Sequence, residues 1–165
     1  MGLLKSSLHA RGQGSCMGFP DFLEGVVSES AYRRWLRHKA RAHARRDRGR
    51  GYTCAVPHYK NEIHKAVCAS AGKDVYTGEL LDWRLISTYD NAESKAGRHK
   101  YKATFALLPT VDHFLADATS VSFRICAWRT NDAKHDLALR DFLTLCRSVL
   151  EHAGYTVTPP SNPAR

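Results

Sequence analysis

Apolar and polar positions recur along this chain with two different periods. From Ser28 or Ser30 to about Arg46, the positions Tyr32, Trp35, Leu36, Ala40 and His43 return at helical spacing, which predicts a helix. A second helix is predicted over residues 57–72. Pro57 suits its first turn, Gly72 its stop, and Tyr59, Ile63, Ala66, Val67 and Ser70 its buried stripe. His58 and His64 within it are not at ligand spacing and read as surface or packing residues. Residues 76–79, Tyr-Thr-Gly-Glu, signal a turn, residues 80–87 a short strand or helix, and residues 89–99 a polar loop. Tyr101 then starts a strand that runs through Phe105-Ala-Leu-Leu-Pro-Thr-Val-Asp-His113, and residues 121–128 alternate as a second strand. Thr130 is the candidate N-cap of a helix. Leu139, Phe142, Leu143, Cys146, Val149, Leu150 and Ala153 mark a strongly amphipathic helix closing at Gly154, expected to hold the core together. The order gives an α+β fold with few strands. Residues 1–27 are expected as a flexible tail, 28–51 as a basic helix, 52–155 as the folded domain and 156–165 as a disordered tail.

Charge changes this picture at one place. The chain has 165 residues, with 43% hydrophobic and 25% charged, enough for one globular domain. Its net charge is 25 − 16 = +9. Residues 33–50 contain nine Lys or Arg against the single acid Asp47, so this segment holds +8 of the excess. Arg33, Arg37, Arg41 and Arg45 lie four apart on one helix face. Like charges at that spacing destabilise a helix by a few tenths of a kcal/mol per pair, so the stripe calls for an anion beside it. Arg presents a fork of donors that fits phosphate, and nucleic acid, foremost double-stranded DNA, is the expected partner. No run approaches the ~18 apolar residues of a membrane span, and the N-terminus has no stretch suited to a signal peptide. The five cysteines are odd in number and contain no Cys-x-x-Cys, so neither a zinc ribbon nor a disulfide framework is expected. Cys68, Cys126 and Cys146 read as core thiols, and the cysteine usage points to a reducing, cytoplasmic compartment.

The candidate chemistry lies on two short segments. Asp112 and His113 are adjacent, so on a regular strand they would face opposite ways; one site can use both only where the strand ends or bends. Asn131 and His135, at i and i+4, share a helix face. Two oxygen donors and a nitrogen suit Mg²⁺, Mn²⁺ or another divalent ion better than structural zinc. A neutral histidine beside such an ion can take a proton from water as general base. Lys134, with Arg129 and Arg124, could bind the phosphate.

Val111-Asp-His113, then Ile125-Cys126, then Asn131-Asp-Ala-Lys134-His135 resembles the HNH (ββα-metal, His-Me finger) endonuclease family. The resemblance covers about residues 100–140, and more loosely 52–155. It implies a ββα-metal core with flanking helices, and hydrolysis of phosphodiester bonds with one divalent metal. His113 would be the general base, Asp112 and Asn131 metal ligands, His135 a third ligand or a phosphate contact, and Lys134 a phosphate contact or packing residue. Cutting both strands with one site per chain would invite a homodimer. Two departures stand out: residues 117–122 lack the family's middle Asn, and no paired zinc knuckles are present. The competing expectations are a non-catalytic nucleic-acid-binding protein that retains the ββα scaffold and, behind it, a small structural zinc protein.

Overall fold

The computed structural model describes residues 18–116 and 120–158. Those residues form a mixed α+β arrangement in the order α1 (Glu29–Arg48), α2 (Val56–Ser70), α3 (Asn91–Thr104), β1 (Pro109–Ala116), β2 (Val121–Ala127), α4 (Trp128–Lys134) and α5 (Leu139–His152), with short 3₁₀ turns at Asp21–Leu23 and Trp83–Ser87. Among the described residues no helix is long and apolar enough to cross a membrane.

Local chemistry accounts for most of the boundaries. The Ser28 hydroxyl accepts from the Ala31 amide at 3.2 Å and caps α1. Helix α2 carries Pro in its first turn and ends on Ala71 and Gly72, both with positive φ. The α3 region, expected as a polar loop followed by the start of a strand at Tyr101, is a helix to Thr104, and the strand begins only at Pro109. The Asp90 carboxylate starts α3 by accepting from the Ala92 and Glu93 amides at 2.7 and 3.0 Å. Thr130 is likewise not a cap: the N-cap of α4 is Ala127, three residues earlier.

The core lies between the helices and the two-stranded sheet. Tyr32, Trp35, Leu36 and Ala40 of α1, Tyr59, Ile63 and Val67 of α2, and Val121, Phe123 and Ile125 of β2 bury one another together with Trp83. The N-terminal region expected as a tail takes part from Phe19 onward, because Leu23 is fully buried and Phe22 meets the edge of Trp83. Residues 1–17 and 159–165, where the outer parts of both expected tails fall, lie outside the described residues. Two further expectations are corrected. Cys68 is disulfide-bonded rather than a core thiol, whereas Cys126 is a buried free thiol and Cys146 is half-buried. Helix α5 buries none of its residues, so its apolar stripe does not close the core.

Strands β1 and β2 pair antiparallel, with Asp112 opposite Arg124 and His113 opposite Phe123; the register then shifts, so that Leu115 faces Ser122 and Phe114 is an extra residue. A bulge of this kind bends the strand and re-aims its side chains. It falls immediately after the Asp112–His113 pair.

Candidate active site

Just ahead of the bulge, Asp112 turns toward Tyr76 and Lys134 and His113 toward α1, yet both reach one cleft. Asp112 and His113 line a cleft of about 540 Å³ together with Asn131, Lys134 and His135; His43 and Arg46 of α1, and Arg50 just past its end, complete the wall. Positions 43 and 46 are three apart and share a helix face. The anticipated arginines do not line this cleft. Arg33, Arg37, Arg41 and Arg45 are exposed, and position 45 stands about 100° around the helix from position 46. Arg33 instead pairs with Glu29 one turn back, at 2.7 Å. Arg129 is also outside the cleft, where it forms an exposed ion pair with Glu79.

His113 is half-buried, and its Nε2 lies 2.8 Å from Oδ2 of Asp47 in the last turn of α1. Asp47 is almost completely buried, and the same oxygen accepts from the Tyr59 hydroxyl at 3.0 Å. Burial, and then this bond, raise the Tyr59 pKa, which keeps the phenol protonated and donating. The imidazole ring is flanked by His43 at 4.8 Å and Phe123 at 5.0 Å between ring centres. Burial, aided by the Arg46 guanidinium, lowers the pKa of His43 to about 2, so that ring is neutral.

Asp112 is buried and held from two sides. Its Oδ2 accepts from the Tyr76 hydroxyl at 2.5 Å and lies 3.1 Å from Nζ of Lys134, while Oδ1 is 3.4 Å from the same ammonium. Lys134, anticipated as a phosphate contact or packing residue, is thus a buried ion-pair partner of Asp112. His135 follows α4 with a φ of 52°, and its Nδ1 lies 2.6 Å from the Asp136 carboxylate; both side chains are exposed. Asn131 is half-buried within α4. Among the described residues no three His, Cys, Asp or Glu side chains gather closely enough to enclose a metal by themselves.

Three residues of the site carry no strong signal in the sequence. In the sequence Asp47 is the lone acid of a basic run, Tyr76 is part of a turn, and Asp74 stands two residues before it. Asp74 is fully buried and organises the junction behind the cleft. One of its oxygens accepts from the Tyr76 and Thr77 amides, the other from the Ala127 amide at 2.9 Å and the Thr130 hydroxyl at 2.6 Å. An Asp opening a Tyr-Thr-Gly turn is a sign of side-chain capping that could have flagged it.

No protein-family model matches the chain, and no curated protein or solved structure shows significant similarity to it.

Proposed function

We propose that the protein is a metal-dependent endonuclease of the HNH type, hydrolysing phosphodiester bonds in DNA with His113 as the general base. The observation that carries this reading is the convergence of Asp112, His113, Asn131 and His135 on one cleft whose rim is formed by Arg46 and Arg50. The ring presents Nδ1 to an attacking water while Nε2 is occupied by Asp47. Arg46 and Arg50 are exposed on the cleft rim and would grip the phosphate backbone there, with the other exposed arginines of α1 available to a longer stretch of duplex. Lys134 and Tyr76 keep the Asp112 carboxylate in a fixed orientation.

The donor chemistry fits a hard divalent ion such as Mg²⁺ or Mn²⁺. Asp112 keeps most of the acceptor capacity of Oδ1, because its short contacts fall on Oδ2, and Asn131 and His135 add an amide oxygen and an imidazole on the same cleft. When bound there, such an ion supplies electrostatic stabilisation of charge developing on the phosphoryl and leaving oxygens.

One observation favours a non-catalytic nucleic-acid-binding protein instead: Asp112 already has two partners, as a purely structural carboxylate would. Plasmid nicking with added Mg²⁺ or Mn²⁺, with and without EDTA, separates the two. The nuclease reading expects metal-dependent nicking that His113→Ala lowers by about 10²–10⁴-fold with DNA binding retained. Equal cutting by His113→Ala, or binding with no cutting under any divalent ion, would sink it.

A further inference from the structure

We infer that Asp47 is the positioning residue of this cleft: its carboxylate, brought in from the last turn of α1, fixes the His113 ring with the proton on Nε2 and the Nδ1 lone pair turned toward the substrate. The inference rests on the reading of His113 as general base, and it names a group outside the residues of the resemblance.

The geometry assigns the proton. Oδ2 of Asp47 accepts from the Tyr59 hydroxyl and sits 2.8 Å from His113 Nε2, so an accepting carboxylate faces the ring and Nε2 is the nitrogen that donates. Nδ1 then keeps its lone pair, and it makes no hydrogen bond among the described residues. The carboxylate itself has little freedom. The Asp47 carbonyl accepts from the Arg50 and Tyr52 amides at 2.8 and 3.1 Å, which ties down the turn where α1 ends. His43 and Phe123 flank the imidazole, so rotation away from Asp47 meets their rings.

Asp47 is also a poor choice for stability alone. Its Oδ1 is buried with no hydrogen-bond partner among the described residues, and the nearest cation, Nη1 of the exposed Arg50, is 3.8 Å away. A half-satisfied buried carboxylate costs stability, and a neutral or apolar side chain would pack α1 against α2 without that cost. The arrangement makes sense if the second oxygen is the incidental partner and the bond to His113 is the purpose. The contact joins residues 66 apart in sequence, so the entry of α1 into the core is what completes the base.

The test uses the full chain. The first measurement is the tautomer of His113 in the unaltered protein, read from its two ring ¹⁵N shifts at a pH where the ring is neutral. The Nε2–H form is expected, and a dominant Nδ1–H form overturns the proposal with no variant needed. The second is Asp47→Asn, which keeps the shape of the side chain. Its amide can turn an NH₂ toward Nε2, which forces the ring proton onto Nδ1 and away from use as a base. The Nδ1–H form should therefore appear, and kcat for plasmid cleavage in Mg²⁺ should fall by about 10²–10⁴-fold, with KM for DNA within about twofold. Tyr59→Phe leaves the carboxylate in place and should retain the Nε2–H form with a smaller loss of kcat. An Asp47→Asn protein that cleaves as fast as the original, or whose His113 keeps the original tautomer, overturns the proposal. Absence of cleavage by the unaltered protein defeats the nuclease reading, and the tautomer then decides the positioning role on its own.

Discussion

His43 and His113 stand with ring centres 4.8 Å apart, and the neighbourhood of His43 determines how the cleft wall responds to acid. Arg46 and Lys39 of its own helix surround His43, His113 faces it from β1 and Phe123 from β2. Burial, then Arg46, then His113 and Lys39 lower its pKa to about 2, against an ordinary value of 6.5. The unfolded chain therefore takes up a proton at this position as the pH falls through 6.5 while the folded chain does not. The stability that a neutral His43 supports is complete above that pH and is lost progressively below it. A His43→Phe variant, which keeps a ring against Phe123, should lose less of its melting temperature than the original protein between about pH 7.5 and about pH 5. Thermal unfolding at the two values checks it; equal losses would mean that His43 is not held neutral.

At the scale of elements, the cleft depends on how the turn at residues 74–79 is joined to the start of α4. Asp74 makes that join, with four donors from three segments converging on its two oxygens. Asp74→Ala strands the buried Ala127 amide and Thr130 hydroxyl and frees the turn that carries Tyr76. It should cost at least about 3 kcal/mol in urea unfolding, since each stranded buried donor costs about 1–3. Breaking the exposed Arg129–Glu79 pair with Glu79→Ala should leave the urea midpoint unchanged. Asp112 and His113 were legible in the sequence because their neighbours in the chain spell a strand end, and α1, α2 and β2 were legible from periodicity. Helix α3 was not, since it announces itself through the Asp90 cap rather than through an apolar stripe. The apolar run at Phe105–Leu108 read as strand because four such residues fit either period; it forms the turn between α3 and β1 instead. The long-range partners of Asp47 and Asp74 escaped for a common reason. Their bonds cross 66 and 53–56 residues, and a pattern within one element carries no information about partners in another.

Across the whole molecule, the largest departure from the sequence pattern is α5. Its apolar stripe is as regular as any in the chain, yet Leu143, Leu145, Val149 and Leu150 are exposed, and Phe142 only meets the edge of Tyr76 at 6.5 Å. The buried mass lies elsewhere, around Ile63, Val67 and Tyr59 of α2, sandwiched between α1 and β2. His113 is therefore held from α1 through Asp47, and Asp112 by Tyr76 and by Lys134 of α4, and neither is held by α5. This division has a measurable consequence. Ile63→Ala removes atoms from a fully buried site and should cost about 2–5 kcal/mol, because the cavity it leaves is only partly closed by relaxation. Leu143→Ser combined with Val149→Ser alters two exposed side chains and should change unfolding by no more than about 0.5 kcal/mol per site, apart from the small difference in helix propensity. Urea unfolding of both proteins at low concentration compares them directly. Should the α5 double variant lose several kcal/mol, that face is covered in solution, and the core extends beyond α1, α2 and the sheet.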